Sequence, residues 1–438
     1  MSQPSAAPAA PPSDTPAIPS PTVVPKRSKL SLLLALVAVL SLIQFGQQVA
    51  FQVRYWDLFP TTMTENHSIY AIWKIIHGLK PYEAPFSGHY VVAMYNWLFY
   101  ASYAWVASLV GGHDENLIWI GRATSAIVMM IGAIAHLLVM LRVTRGAATF
   151  KSRFIVCASI AVLVWFGTPY FSGQALTIRP DAGSTCMAVL ASLMVVTIGR
   201  SRWSIAMVAC GLVFCLAWLF KQSTVWTLVA TAGYLVVWER QLRRPAVLVL
   251  SMALPAMVIL FTGDVDYRAN ATAGAKGSSF QGVAPAIKVT LYVLIENPLV
   301  WVGAAVVVLG TLWVNRARLL PRWKIDSTAS RFDPALWAAT VLAITFPVGV
   351  VMMFRQGSGP NNLMEPMVAA GTLLALGVLG YSRLDATRSP PAAVVDRMAS
   401  GAGHVAADRV AEREARIARV DSPQRSRTPR VAQLESLP

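Results

Sequence analysis

The chain has 438 residues, 55% hydrophobic and only 13% charged, with a formal net charge of +16. Ordinary soluble domains carry about 25% charged residues, so the composition argues against a soluble globular protein. The Lys and Arg residues sit mostly in short connectors and the two tails, the distribution of a polytopic membrane protein, which argues against nucleic acid as a partner. Cys157, Cys186, Cys210 and Cys215 all lie within apolar runs and lack metal-ligand spacing. They read as small buried hydrophobes, neither a disulfide frame nor a zinc site.

Met1 to Pro25 is rich in Ala, Pro and Ser and has too little apolar surface to fold, so residues 1–29 are expected to be a disordered cytoplasmic tail. Lys26, Arg27 and Lys29 then precede the apolar run Leu30 to Ala50. It lacks the short n-region, short core and clear cleavage site of a removed signal peptide, and reads as a retained first span. The connector 51–90 is unusually long for a helix bundle. Within it, Glu65 to His77 reads as a helix stopped by Gly78. Ile69, Ile72, Trp73 and Ile76 form one stripe, while His67, Lys74 and Lys80 point away. That pattern predicts an amphipathic helix on the membrane surface, with Glu65 at the head of its apolar face. Glu83, in a turn beside Pro81 and Pro85, reads as solvated.

Further helices are expected at 91–110, 117–141, 154–171, 182–199, 203–220, 223–238, 246–262, 289–313, 335–354 and 363–382. Each is close to the length that crosses a hydrocarbon core of about 30 Å. Basic connectors, such as Arg142 to Arg153 and Arg316 to Lys324, mark the cytoplasmic side. The other connectors, 172–181, Lys221–Gln222, 263–288 and 355–362, fall outside. Eleven crossings would leave the basic C-tail outside, so the charge rule asks for an even number. The run most suited to stop short of crossing is 91–110, which carries Tyr95, Asn96, Trp97, Tyr100, Tyr103 and Trp105. The expected fold is an all-α polytopic membrane protein of about 10–11 transmembrane helices over 30–383. An Arg-rich cytoplasmic tail, 384–438, follows it, disordered or loosely helical.

In such a chain the informative residues are the rare charges near the ends of apolar runs: Glu65, Arg179, Asp181, Lys221, Arg355 and Glu365. Their order carries a resemblance. The chain has Glu65-Asn66-His67-Ser68-Ile69-Tyr70 followed by Gly78-Leu79-Lys80-Pro81-Tyr82 in the first long loop. Arg179-Pro180-Asp181 opens a span, Lys221-Gln222 closes one that contains Gly211, and Gly357-Ser358-Gly359-Pro360-Asn361-Asn362 leads to Glu365. This order resembles the GT-C superfamily of membrane glycosyltransferases, which includes protein O-mannosyltransferases and lipid A aminoarabinose transferases. The resemblance covers roughly 30–383 and lacks the added soluble C-terminal domain of the large members.

The resemblance implies an inverting glycosyltransferase of the plasma (inner) membrane, working on the extracytoplasmic side. Its donor would be a polyprenyl-phosphate-linked sugar, and its acceptor a glycan, lipid or protein hydroxyl. Such a transfer needs a carboxylate to take the hydroxyl proton and cations to hold the departing phosphate. Glu65 is the expected base and Asp57 the runner-up. Arg179, Asp181, Lys221, Gln222, Arg355, Asn362, Glu365 and His89 are the expected substrate-binding residues. No cofactor is indicated; a divalent metal is compatible with the chemistry but not indicated. Structural roles compete at each position. Glu65 at a helix start can interact with the helix dipole, Arg179 and Asp181 can be a mutual ion pair, Lys221 can snorkel to headgroups, and His89 can cap a helix. A lipid or solute transporter is the alternative class, disfavoured by the absence of a convincing repeat and by charges gathered at one rim. Convergence of Glu65, Asp181 and Lys221 on one cavity would favour the enzyme.

Overall fold

The computed structural model describes residues 29–54, 63–84, 93–112, 114–167, 172–173, 176–198, 203–276, 282–319, 332–354 and 360–380. Both expected tails therefore lie outside the described residues, apart from Lys29. The described residues form fourteen α-helices and no strand. They are α1 (Lys29–Arg54), α2 (Met63–Ile76), α3 (Trp97–Leu109), α4 (Leu117–Val143), α5 (Phe150–Phe166), α6 (Pro180–Thr197) and α7 (Trp203–Phe220), followed by α8 (Trp226–Val237), α9 (Arg243–Thr262), α10 (Val265–Lys276), α11 (Val283–Glu296), α12 (Pro298–Leu319), α13 (Pro334–Met352) and α14 (Met364–Val378).

Five of these are long and apolar enough to cross a membrane: α1, α4 with the short turn before it, α6, α9 and α13. Counting α11 and α12 as one broken span makes six. α7 and α8 are apolar but shorter over their described lengths, and α3 has only 13 residues, about 20 Å. The run 91–110 is thus too short as a helix to cross a hydrocarbon core of about 30 Å. The expected single span 289–313 is instead two helices meeting at 93°. Pro298 has no N–H and pushes the residue before it out of the helical region. Asn297 accordingly sits at φ −135° and ψ 56°, and its side chain donates to the Leu163 carbonyl at 3.0 Å. The stretch 263–288, expected as a plain connector, contains α10 and the start of α11.

Around the main core α4 packs on α6, α6 on α7, α7 on α9, and α14 on both α12 and α13. Their facing residues form one apolar cluster, and all four cysteines are buried and unpaired. A second, aromatic cluster joins α2, α3 and α10 through Ile72, Tyr82, Phe99, Tyr100, Tyr103 and Tyr267. α1 turns Leu32, Leu36, Leu40 and Ile43 outward, as a helix wrapped by lipid would.

Close packing of α4 on α5 depends on Gly132. A Cβ there would fall 2.4 Å from the Trp165 ring, and Trp165 is itself fully buried. Gly132→Leu is expected to destabilise the protein by about 1–3 kcal/mol through overpacking, read as a lower midpoint in a denaturation titration of the reconstituted protein. Beside this contact, Trp165 Nε1 donates to His136 Nδ1 at 3.2 Å. His136 Nε2 meets Thr372 Oγ1 at 3.1 Å. Since Nδ1 accepts, the ring proton belongs on Nε2, and the three residues join α4, α5 and α14 inside the bundle.

α2 forms where the sequence predicts, and Gly78 ends it in the left-handed region at φ 71°. The Leu79 N–H reaches back to the Lys74 carbonyl at 2.8 Å, a Schellman closure. Its buried face differs from the expected stripe. Glu65, Ser68, Ala71 and Ile72 are inward, and Lys74, expected to point away, is 3% exposed. Lys74 pairs with Glu83 and lies 4.8 Å from the Tyr70 ring centroid. Glu83 is accordingly a structural partner and not the solvated turn residue expected.

Candidate functional site

Three helix ends meet at the site. Pro180 occupies the first turn of α6 and holds Arg179 extended, at φ −139° and ψ 150°. Asp181 follows in that same first turn, where the helix dipole favours a carboxylate. Lys221 stands directly after α7, its N–H bonded to the Ala217 carbonyl, at the end where the dipole favours a cation. The short turn Pro360–Leu363 brings Asn361 and Asn362 to the same place, and Glu365 begins α14.

Asp181 is the centre of this arrangement and only 1% exposed. Its Oδ1 accepts from Lys221 Nζ at 2.6 Å and from Asn361 Nδ2 at 2.6 Å. Its Oδ2 lies 3.2 Å from Arg179 Nε. Lys221 Nζ also donates to Asn362 Oδ1 at 3.3 Å. Two cations thus divide one buried carboxylate between them, which compensates the desolvation of all three. Tyr95, beside Arg179, has its phenol pushed up to about 12, by burial first, with Arg179 opposing; it stays neutral.

Asp181, Lys221, Asn361, Asn362 and Glu365 line one cavity, with hydroxyls from Ser184, Thr185 and Thr224 on its wall. Its volume is about 20 Å³, roughly what one water molecule needs. The Thr227 hydroxyl donates to Glu365 Oε2. Glu365 also lines an adjoining apolar cavity walled by Val139, Ala188, Val189, Trp337 and Val368. No group of three His, Cys, Asp or Glu side chains that would hold a metal occurs among the described residues.

Glu65 lies elsewhere. It is completely buried, with Oε1 accepting from Arg122 Nε at 3.0 Å and Oε2 from Arg122 Nη2 at 3.1 Å, a bidentate fork. The Ile178 N–H donates to Oε1 at 3.0 Å, and Arg122 Nη1 reaches Gln52 Oε1 at 3.1 Å. The expected convergence therefore holds for Asp181 and Lys221 but not for Glu65, whose two oxygens are taken up in tying α1, α2 and α4 to the segment that carries Arg179. Gln222 does not line the cavity; its Nε2 donates to the Met94 carbonyl at 3.1 Å and anchors the stretch before α3. Asp57, His89 and Arg355 lie outside the described residues.

Sequence reasoning missed Arg122, Thr227 and Tyr95 as participants. Arg122 did carry a signal, since it is a lone charge inside the apolar run 117–141.

No family model matches the sequence, and no curated protein matches it. Among solved structures, the chain is similar to an oligosaccharyltransferase from Archaeoglobus fulgidus in its apo form, at a TM-score of 0.49 and 11% identity. The match covers 80% of this chain and 51% of that one, so the chain spans about half the length of that structure.

Proposed function

We propose that the protein is an inverting membrane glycosyltransferase that moves a sugar from a polyprenyl-phosphate carrier to an acceptor hydroxyl on the extracytoplasmic side. The observation that carries this reading is the meeting of Asp181, Lys221, Asn362 and Glu365, drawn from three separate motifs, at one polar cavity. Lys221 and Arg179 are the cations for the phosphate, Lys221 as a point charge and Arg179 as a planar fork. Asp181 holds the Lys221 ammonium at the cavity wall and Arg179 just behind it, and Asn362 shares the ammonium. As the acceptor oxygen bonds to the anomeric carbon, the bond to the carrier phosphate breaks, and the phosphate leaves with its charge met by these cations.

The acceptor's proton needs a carboxylate within hydrogen-bond reach. Glu65, the carboxylate suggested by sequence, is committed to Arg122 and the Ile178 N–H, so its part is positioning. Asp181 is held between two cations. Glu365 faces the cavity with a hydroxyl as its hydrogen-bond partner, and we assign it as the base. Glu365→Gln should lower transfer of radiolabelled sugar from a polyprenyl-phosphate donor by at least about 10²-fold, with donor binding retained. Near wild-type turnover in that variant would remove Glu365 from the role.

A further inference from the structure

α1 outlasts its neighbour. Its packed face is Leu34, Ala38 and Ser41, set against α5. α5 ends at Phe166, whose ring lies 4.8 Å from that of Phe45. Beyond that level α1 continues to Arg54, and the same face changes character. Gln44, Gln47, Gln48 and Gln52 follow at helical spacing. Together with Phe51 and Leu176 they line a cleft of about 410 Å³, within the size range of small-molecule sites. Gly173 completes the wall, and open space lies where its side chain would be.

Four carboxamides on one face of a helix that is otherwise apolar and outward-facing are an unusual expense of polarity. Two have structural bonds through their oxygens, Gln48 from the Ser172 hydroxyl at 2.6 Å and Gln52 from Arg122 at 3.1 Å. Their NH₂ groups, and the whole amides of Gln44 and Gln47, make no hydrogen bond among the described residues. The lining contains no charged side chain among those residues. Arg122, at the edge, is engaged by Glu65 and Gln52. Among the described lining residues a phosphate or carboxylate would therefore meet no cation.

We propose that this cleft binds a neutral, hydroxyl-rich ligand, a glycan, and that it is the acceptor subsite. Each amide offers a donor and an acceptor to neighbouring hydroxyls. Phe51 adds apolar surface to this lining, of the kind that suits the C–H side of a sugar. The assignment of the glycan as acceptor rests on the transferase reading; binding of the glycan does not. A hydrogen-bonded chain links the two regions, from Gln52 through Arg122 and Glu65 to the Ile178 N–H, just before Arg179 and Asp181.

The test uses the full-length protein in nanodiscs and saturation-transfer NMR with a panel of neutral di- and trisaccharides of glucose, galactose and mannose, with glucose 6-phosphate as the anionic control. Wild type should receive transfer to neutral sugars that the phosphate does not displace. The double variant Gln44→Leu/Gln47→Leu should weaken that binding about tenfold without changing binding of the polyprenyl-phosphate donor. No neutral sugar binding by wild type, or equal binding by the double variant, overturns the proposal. Quantitative disulfide cross-linking of two copies through Gln47→Cys also overturns it, because the amide face would then be a self-interface. Retained sugar binding in a wild-type protein that transfers nothing would sink the transferase reading and leave the cleft standing.

Discussion

Replacing Arg122 with methionine should destabilise the folded protein by about 3–5 kcal/mol, because Glu65 is then a buried carboxylate without its ionic partner. The fork between them is closed on both oxygens, at 3.0 and 3.1 Å, and both side chains are nearly or fully out of solvent. The paired variant Glu65→Leu/Arg122→Met removes both charges at once and should recover most of that loss, since an apolar pair of similar volume avoids the desolvation cost. The measurement is a denaturation titration of the four members of this cycle in one lipid mixture. A single variant as stable as wild type would mean that the fork contributes nothing to the fold. Loss of transfer in the paired variant, with stability restored, would show that the fork serves the reaction beyond its part in the fold.

Lys221→Met is expected to reduce sugar transfer by about 10³-fold or more, since removing even one preorganised donor at a developing charge costs about 10²–10³ in turnover. Lys221 touches both Asp181 and Asn362, so its loss also frees the turn that forms one wall of the cavity. Lys221→Arg separates charge from shape. It keeps a cation, but its planar fork does not reproduce a point ammonium held between two oxygens. Transfer in Lys221→Arg should therefore lie between wild type and Lys221→Met. Equal turnover in all three would show that the phosphate is held elsewhere.

Much of the scaffold was legible because hydropathy and helix stops are local properties. α1, α4, α6, α7, α9 and α13 fall where apolar runs predict them, and Gly78 stops α2 through a backbone conformation that only the sequence-adjacent turn determines. The Asp181–Lys221 pairing was legible in part, as two rare charges at span ends. Its partner Asn361 was visible only as part of a motif. The fork between Glu65 and Arg122 was not legible, because it depends on how α2 docks on α4, which no window of either helix contains. Lys74 misled for a related reason: at a single position, helical spacing cannot distinguish solvent from the half-buried Glu83 that turns back toward it. The elbow at Asn297–Pro298 left a clear local mark that averaging over a long apolar window concealed.

The His136 bridge has a mechanical consequence for the cavity. Thr372 stands seven residues after Glu365 on the same helix, about 10 Å along its axis. Piston travel of α14 would break the hydrogen bond between Thr372 and His136, and with it the tether to α4 and α5. If the cavity admits a sugar, as the proposed transferase requires, the wall expected to yield is the Pro360–Leu363 turn with Asn361 and Asn362 rather than α14.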